Sequence, residues 1–185
     1  YLGTFSKVFA PGLRIGWIAA DRELIERITA VKIFSDLSTN TLIQSALLVF
    51  CQHGFYDRHI KRIHREYRKR MLTLINRRRE ELRDFSKISW QEPAGGYLSW
   101  IKLKDTALED TQINEIFLNH GVMVSMGSLF YPHSLKPEHR DKAAEQTFRI
   151  SISTVNADEI KEGIRRLRGA LSQIYKNPHG ENNEI

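Results

Sequence analysis

The feature that most constrains this chain is the stretch 57–82, where Ile60, Ile63, Tyr67, Met71, Leu74, Ile75 and Leu82 recur every three or four positions as one apolar seam. That period predicts a single amphipathic helix about 40 Å long at 1.5 Å per residue. Such a helix is long enough to bridge two domains, so 57–82 is expected to be a long interdomain helix.

The hydrophobic period differs on the two sides of the seam. Upstream, 1–6 and 14–20 read as short extended pieces bracketed by Gly3 and Pro11-Gly12, and are expected to be buried strands joined by a loop. Asp21 stands where an N-cap belongs, and Leu24, Ile25, Ile28 and Val31 follow at helical spacing as far as Ile33. A polar, turn-like stretch at 35–40 leads to a second helix over 41–51, with Leu42, Ile43, Ala46, Leu47 and Phe50 on its stripe and Gly54 ending it. Downstream, Ile88 and Trp90 alternate with polar neighbours, Pro93-Ala94-Gly95-Gly96 turns the chain, and 97–103 alternates again, which predicts an antiparallel hairpin. A helix over 111–120 closed by Gly121, a short strand at 122–125 and an alternating strand at 147–154 with Phe148, Ile150 and Ile152 inward come next. Asn156 or Asp158 caps the final helix, 157–175. The fold class is therefore α/β, with an α/β portion over 1–56, the long helix 57–82, an α+β unit over 83–175 and a tail 176–185 expected to be flexible. The chain opens on Tyr1-Leu2-Gly3-Thr4-Phe5-Ser6 without a methionine, cap or turn, and is expected to be the C-terminal portion of a longer protein.

Composition excludes several classes. With 41% hydrophobic and 27% charged residues, the 185-residue chain buries a core and is neither disordered nor fibrous. Cys51 is the one cysteine, so no internal disulfide forms and a reducing compartment, the cytoplasm, is expected. No apolar run approaches the roughly 18–20 residues of a spanning helix, so no membrane partner is expected. The net charge of +6 is uneven, because 58–79 holds ten Lys/Arg against Glu66 alone and leaves the rest slightly acidic. Those cations have the chemistry to contact nucleic-acid phosphates. A long helix with an apolar seam ordinarily turns its charges to water, however, and aromatic interleaving is poor here, so the solvated reading is favoured. The histidines, His53, His59, His64, His120, His133, His139 and His179, show no metal-ligand spacing, and Cys51 with His53 makes no ligand set, so no metal is expected. Neither a Ser-His-Asp arrangement nor a P-loop is present.

The chemistry concentrates near the start. Lys7 stands at the end of an expected buried strand, where an ammonium is costly unless it is paired or neutralised. A lysine so placed can attack a carbonyl carbon. Hydroxyls at Thr4 and Ser6 and the guanidinium of Arg14 supply the donors and charge a phosphate needs. Taken singly, Lys7 reads as an exposed strand-end lysine and Arg14 as a surface residue. The whole segment reverses that balance. Far downstream, Arg149 in Phe148-Arg149-Ile150-Ser151 interrupts an apolar alternation, so it is either exposed at a sheet edge or kept to receive a carboxylate.

The run Thr4-Phe5-Ser6-Lys7, followed by Pro11-Gly12-Leu13-Arg14-Ile15-Gly16-Trp17, resembles the cofactor-lysine signature of fold-type I pyridoxal-phosphate enzymes, specifically class I/II aminotransferases. Pro93-Ala94-Gly95-Gly96-Tyr97, 121–130 and Phe148-Arg149-Ile150-Ser151 resemble that family's small-domain segments, so the resemblance extends to about Tyr175. It implies that 1–56 ends a large pyridoxal-phosphate domain and 83–175 is the small C-terminal domain with a mostly antiparallel sheet. By the same resemblance Lys7 is the internal-aldimine lysine and proton shuttle, Thr4, Ser6 and Arg14 hold the phosphate of pyridoxal 5'-phosphate, and Arg149 grips the substrate α-carboxylate. The family's pyridine-nitrogen carboxylate, its stacking ring and its further phosphate donors normally lie upstream of the lysine segment. The chain alone is accordingly expected to bind the cofactor weakly and not to transaminate.

Two functions fit that resemblance. One is an aminotransferase exchanging an amino group between an amino acid and a 2-oxo acid, working as a homodimer. The other is the effector-sensing domain of a GntR/MocR-type transcriptional regulator, which reaches DNA through an N-terminal module outside this chain. The stretch from His59 to Arg70 resembles both groups and does not separate them.

Overall fold

The computed structural model describes residues 1–130 and 146–176 of the chain. His133, His139, His179 and the tail beyond Lys176 lie outside the described residues. Contacts divide the chain into two compact units, Tyr1–Arg65 and Glu66–Ile185, with the boundary inside the long helix.

In the first unit, strand β1 (Leu2–Thr4) pairs antiparallel with β2 (Gly16–Ile18), in the register Leu2 with Ile18, Gly3 with Trp17 and Thr4 with Gly16. Helices α1 (Arg22–Asp36) and α2 (Thr41–Gln52) and the first part of α3 (Phe55–Glu81) come after them. Asp21 caps α1 as expected, its Oδ1 accepting from the Leu24 N–H at 2.9 Å, and Asn40 caps α2 through the Ile43 N–H at 3.1 Å. Helix α1 runs three residues past Ile33, with Lys32 paired to Asp36 at 2.7 Å. The expectation of buried strands is corrected: every residue of β2 is exposed, and the described hydrophobics buried in this unit are Ile15 and Leu47.

The second unit is a four-stranded sheet in the order β3-β4-β6-β5, with every neighbouring pair antiparallel. The expected hairpin is β3 (Ile88–Trp90) and β4 (Leu98–Leu103), turned through Gly96 at φ +83°. Strand β5 (Ser125–Met126) is shorter than the expected 122–125 strand and leads into a 3-10 turn, Gly127–Phe130. Strand β6 (Thr147–Ser151) stops short of Thr154, although Ile152 still packs inward. Helix α4 (Asp110–Asn119) opens on a capping box of Glu109 and Gln112, and α5 (Ala157–Lys176) on one formed by Asn156 and Glu159.

One sheet face supplies Ile101, Leu103 and Phe148, and the helices supply Ile113 and Phe117 from α4, Leu74 from α3, and Ile164, Leu167, Leu171 and Ile174 from α5. These are the most deeply buried side chains, with Phe117 and Phe148 in contact at 4.8 Å between centroids. Tyr175 ties the end of α5 to the strands, its Oη lying 3.0 Å from the Lys87 carbonyl and 3.2 Å from that of Lys104.

Two outcomes test this packing. Phe148→Ala should destabilise the second unit by about 3–5 kcal/mol, read as a lower denaturant midpoint, because the cavity forms where helices meet the sheet and cannot collapse. Glu162 accepts hydrogen bonds from Arg165 and Arg166, which hold its carboxyl down at about 2. Its pairing is thus present above the ordinary carboxylate range and lost as pH falls towards 2. A carboxyl-carbon NMR titration should show Glu162 charged well below the other glutamates, and Arg165→Gln with Arg166→Gln should return it upward.

Candidate active site

The Lys7 loop is built by aromatic anchors four residues apart. Phe5 packs edge-on against Tyr56 at 5.7 Å, and Phe9 packs on Phe50 at 4.6 Å and on His59 at 5.3 Å. The Phe9 N–H donates to the Phe5 carbonyl at 2.8 Å, which closes a turn between the two rings. Lys7, midway along it, is turned out to solvent. The expectation of Lys7 at the end of a buried strand is therefore corrected: β1 ends at Thr4, and both phenylalanines face inward so that the residue between them faces out. Burial, with Cys51 and Asp57 nearby, pushes the Tyr56 phenol above its ordinary value.

Thr4, Ser6 and Arg14 are brought together. Thr4 Oγ1 donates to the Ile15 carbonyl at 3.3 Å and accepts from the Ser6 N–H at 3.1 Å. Arg14 Nη1 donates to Ser6 Oγ and to the Pro11 carbonyl, both at 3.3 Å. Arg14 adopts a left-handed conformation, φ 53°, that ordinary side chains avoid at a cost of order 1–3 kcal/mol, and it does so at the end of the 3-10 turn Pro11–Leu13. Among the described residues its guanidinium has no carboxylate partner. A guanidinium bonded to the Ser6 hydroxyl, with no carboxylate partner among the described residues and the Thr4 hydroxyl on the same loop, is the kind of donor set a phosphate monoester calls for, so these residues fit the cofactor.

Glycine at 3 and 16 is a condition of the same ribbon. A Cβ on Gly3 would meet the Trp17 indole at 2.3 Å, and one on Gly16 would meet the Gly3 carbonyl oxygen at 2.9 Å. The Gly-Trp element of the signature is thus a close-packing requirement between strands, not a ligand.

Arg149 lies on β6, between β4 and β5, so the sheet-edge alternative does not hold. Its cross-strand neighbours are Trp100 and Ser125, and its guanidinium carbon sits 4.3 Å from the centre of the Phe130 ring, which Trp100 meets edge-on at 5.4 Å. Arg149 Nε is buried without a hydrogen-bond partner among the described residues. A buried guanidinium N–H without a partner among the described residues has the chemistry to donate a hydrogen bond to an anion, the alternative to edge exposure that the sequence offered. The cleft of about 660 Å3 that Arg149 lines also has Ser125, Ser151 and Thr154 on its wall. Sequence reasoning missed the aromatic partners on both sides, because Phe5, Phe9, Phe50 and Tyr56 read as ordinary apolar positions and the pairing of Trp100 with Arg149 depends on strand register. The i, i+4 spacing of Phe5 and Phe9 around Lys7 was the available signal. Among the described residues no three His, Cys, Asp or Glu side chains are grouped to hold a metal, and no helix is long and apolar enough to cross a membrane.

A model of the family described as aminotransferase class I and II matches residues 1–167. The chain is 33% identical to aromatic-amino-acid aminotransferase 1 of Thermococcus litoralis, over 95% of this chain and 40% of that protein. It is 25% identical to an uncharacterized HTH-type transcriptional regulator, YdfD of Bacillus subtilis, over 94% of this chain and 33% of that one. Among solved structures, the multiple substrate aminotransferase of Thermococcus profundus superposes with a TM-score of 0.84 at 31% identity, covering 96% of this chain and 41% of that one. The chain thus spans about two fifths of the length of these aminotransferases. On this match over most of its length, the chain belongs to the class I and II aminotransferases, a family dependent on pyridoxal phosphate, and its fold is a portion of theirs.

Proposed function

We propose that the protein containing this chain is an aminotransferase that moves an amino group between an amino acid and a 2-oxo acid, with Lys7 as the catalytic amine. The observation that supports this reading is the Arg14 guanidinium hydrogen-bonded to Ser6 Oγ, one residue before Lys7 in the chain. Pyridoxal phosphate, when bound, supplies an aldehyde and an electron sink for the substrate α-carbon. Arg14, Ser6 and Thr4 hold its phosphate by charge-assisted and hydroxyl hydrogen bonds. Lys7 Nζ would be the amine that holds the aldehyde end of the cofactor and would take the α-proton from the substrate amino acid, a general-base role. Arg149 receives the α-carboxylate, and Phe130 and Trp100 limit its freedom to swing. In this reading 1–56 ends the large domain, 57–82 is the interdomain helix and 83–175 is the small domain. The working form is a cytoplasmic homodimer.

The similarity to an HTH-type regulator supports a second reading, in which the same loop senses an amino compound or the cofactor for a DNA-binding module elsewhere in the protein. Turnover separates the two, since a sensor fixes the cofactor on Lys7 and does not transaminate a panel of amino donors.

Two measurements test the site in a preparation carrying the whole transferase body. Borohydride treatment in the presence of pyridoxal phosphate should fix the cofactor on Lys7, seen by peptide mass analysis, and Lys7→Ala should abolish both the label and transamination. Label on another lysine, with Lys7→Ala still active, would overturn the assignment. Arg149→Gln should raise KM for amino and oxo acid alike by about 10- to 100-fold, the loss of a charge-assisted bond worth about 1.5–3 kcal/mol, while cofactor absorbance stays unchanged.

A further inference from the structure

Most basic side chains on the helices of this chain have an acid beside them. On α1, Arg22 pairs with Glu26, Arg27 with Glu23 and Lys32 with Asp36; on α5, Lys161 pairs with Asp158, and Arg165 and Arg166 share Glu162. At the end of α3, Arg77 pairs with Glu80 and Arg79 with Glu92. The first half of α3 departs from this pattern. Arg58, Lys61, Arg62, Arg65, Arg68 and Lys69 are all exposed, and among the described residues none of them is in an ion pair. Arg58 alone has a charged-group contact, its guanidinium lying 4.7 Å over the Phe55 ring.

At 3.6 residues per turn these six fall on about one third of the helix circumference, opposite the seam of Ile60, Ile63, Tyr67 and Met71. Asp57 and Glu66, the nearby acids of α3, lie off that arc to either side. The row from Arg58 to Lys69 is about 16 Å long at 1.5 Å per residue. One strand of duplex nucleic acid presents a phosphate every 3.4 Å or so along its axis, hence about five phosphates over that length.

We propose that this face of α3 docks the phosphate backbone of duplex nucleic acid without regard to base sequence. Charge complementarity argues for that occupant: a closely spaced row of cations with no ion pair among the described residues matches a uniform line of anions, and binding releases the condensed counterions of the duplex. The face carries cations alone, so it reads charge and spacing, not base edges. Between Arg58 and Lys69 it has no exposed apolar side chain to insert into a bilayer. The inference stands apart from the aminotransferase reading, since none of the six residues belongs to the Lys7 loop or to Arg149.

Fluorescence anisotropy of this chain with two unrelated 20-base-pair duplexes tests it. Binding should be within about threefold for the two sequences, with Kd of about 10⁻⁶ to 10⁻⁴ M, and the slope of log K against log salt should be about −4 to −5, so that affinity falls a few hundredfold between 50 and 200 mM salt. The variant Arg58→Gln/Arg62→Gln/Arg65→Gln/Lys69→Gln should weaken binding at least tenfold and flatten the slope by about 3 to 4 units. Gln preserves helix propensity, so thermal unfolding by circular dichroism should be unchanged. The double variants Arg58→Gln/Arg62→Gln and Arg65→Gln/Lys69→Gln divide the loss if the quadruple variant does not fold. Arg22→Gln/Arg27→Gln, which removes paired cations on α1, should leave affinity within twofold. Undiminished binding by the folded quadruple variant would overturn the proposal. So would equal or tighter binding to polyglutamate or to vesicles of anionic lipid, or no binding to either duplex at low salt.

Discussion

Strand β6 carries out two incompatible tasks on alternate residues, and the second unit is organised around keeping them apart. Phe148 is fully buried against Phe117 and the helices, and the chain can place it there only by putting its neighbour Arg149 on the other side of the sheet. Because β6 is an interior strand, Arg149 cannot relax into bulk solvent as it would at an edge. It is held between Trp100 and Ser125 on the flanking strands and stacked on Phe130. Hydrophobic burial on one face thus sets the position of a guanidinium on the other, where its Nε–H has no partner among the described residues.

The Lys7 loop reaches a similar end by local means. Among the described residues of the first unit only Ile15 and Leu47 are buried hydrophobics, so local contacts set the loop. Two aromatic side chains one helical turn apart, set on rings from α2 and α3, orient the turn, and two glycines let the strands approach closely enough to hold the indole of Trp17 against the backbone. Arg14 then returns to Ser6 through a left-handed residue. The cationic, hydroxyl-lined loop is preorganised by contacts that are themselves apolar or purely steric.

Charge on the surface obeys a different rule. Intrahelical pairs such as Glu162 with Arg165 and Arg166 are exposed and individually weak, yet they cancel the field of the helices that carry them. Where that cancellation stops, over Arg58 to Lys69, the helix keeps an outward field that its role in packing does not require. The amphipathic seam accounts for where these side chains point and leaves open why so many of them are basic.

Helix α3, the cap at Asp21 and the hairpin ending in Leu103 were legible from period and punctuation, and Asn156 was one of the two caps expected for the last helix, because each depends on neighbours within a few residues. The signature of Thr4, Ser6, Lys7 and Arg14 was legible as residue chemistry in a short loop. The features that stayed hidden depend on contacts distant along the chain. The exposure of β1 and β2, the shortening of β5 and the interior position of β6 are decided by which surfaces find a partner, and no local pattern encodes that. By itself the sequence determined the helical seam, the Asp21 cap and the family resemblance carried by the loop around Lys7 and the strand of Arg149. Only the tertiary structure decided that Lys7 faces outward between two anchored rings and that Arg149 stands in an aromatic frame, because register and packing arise from long-range burial.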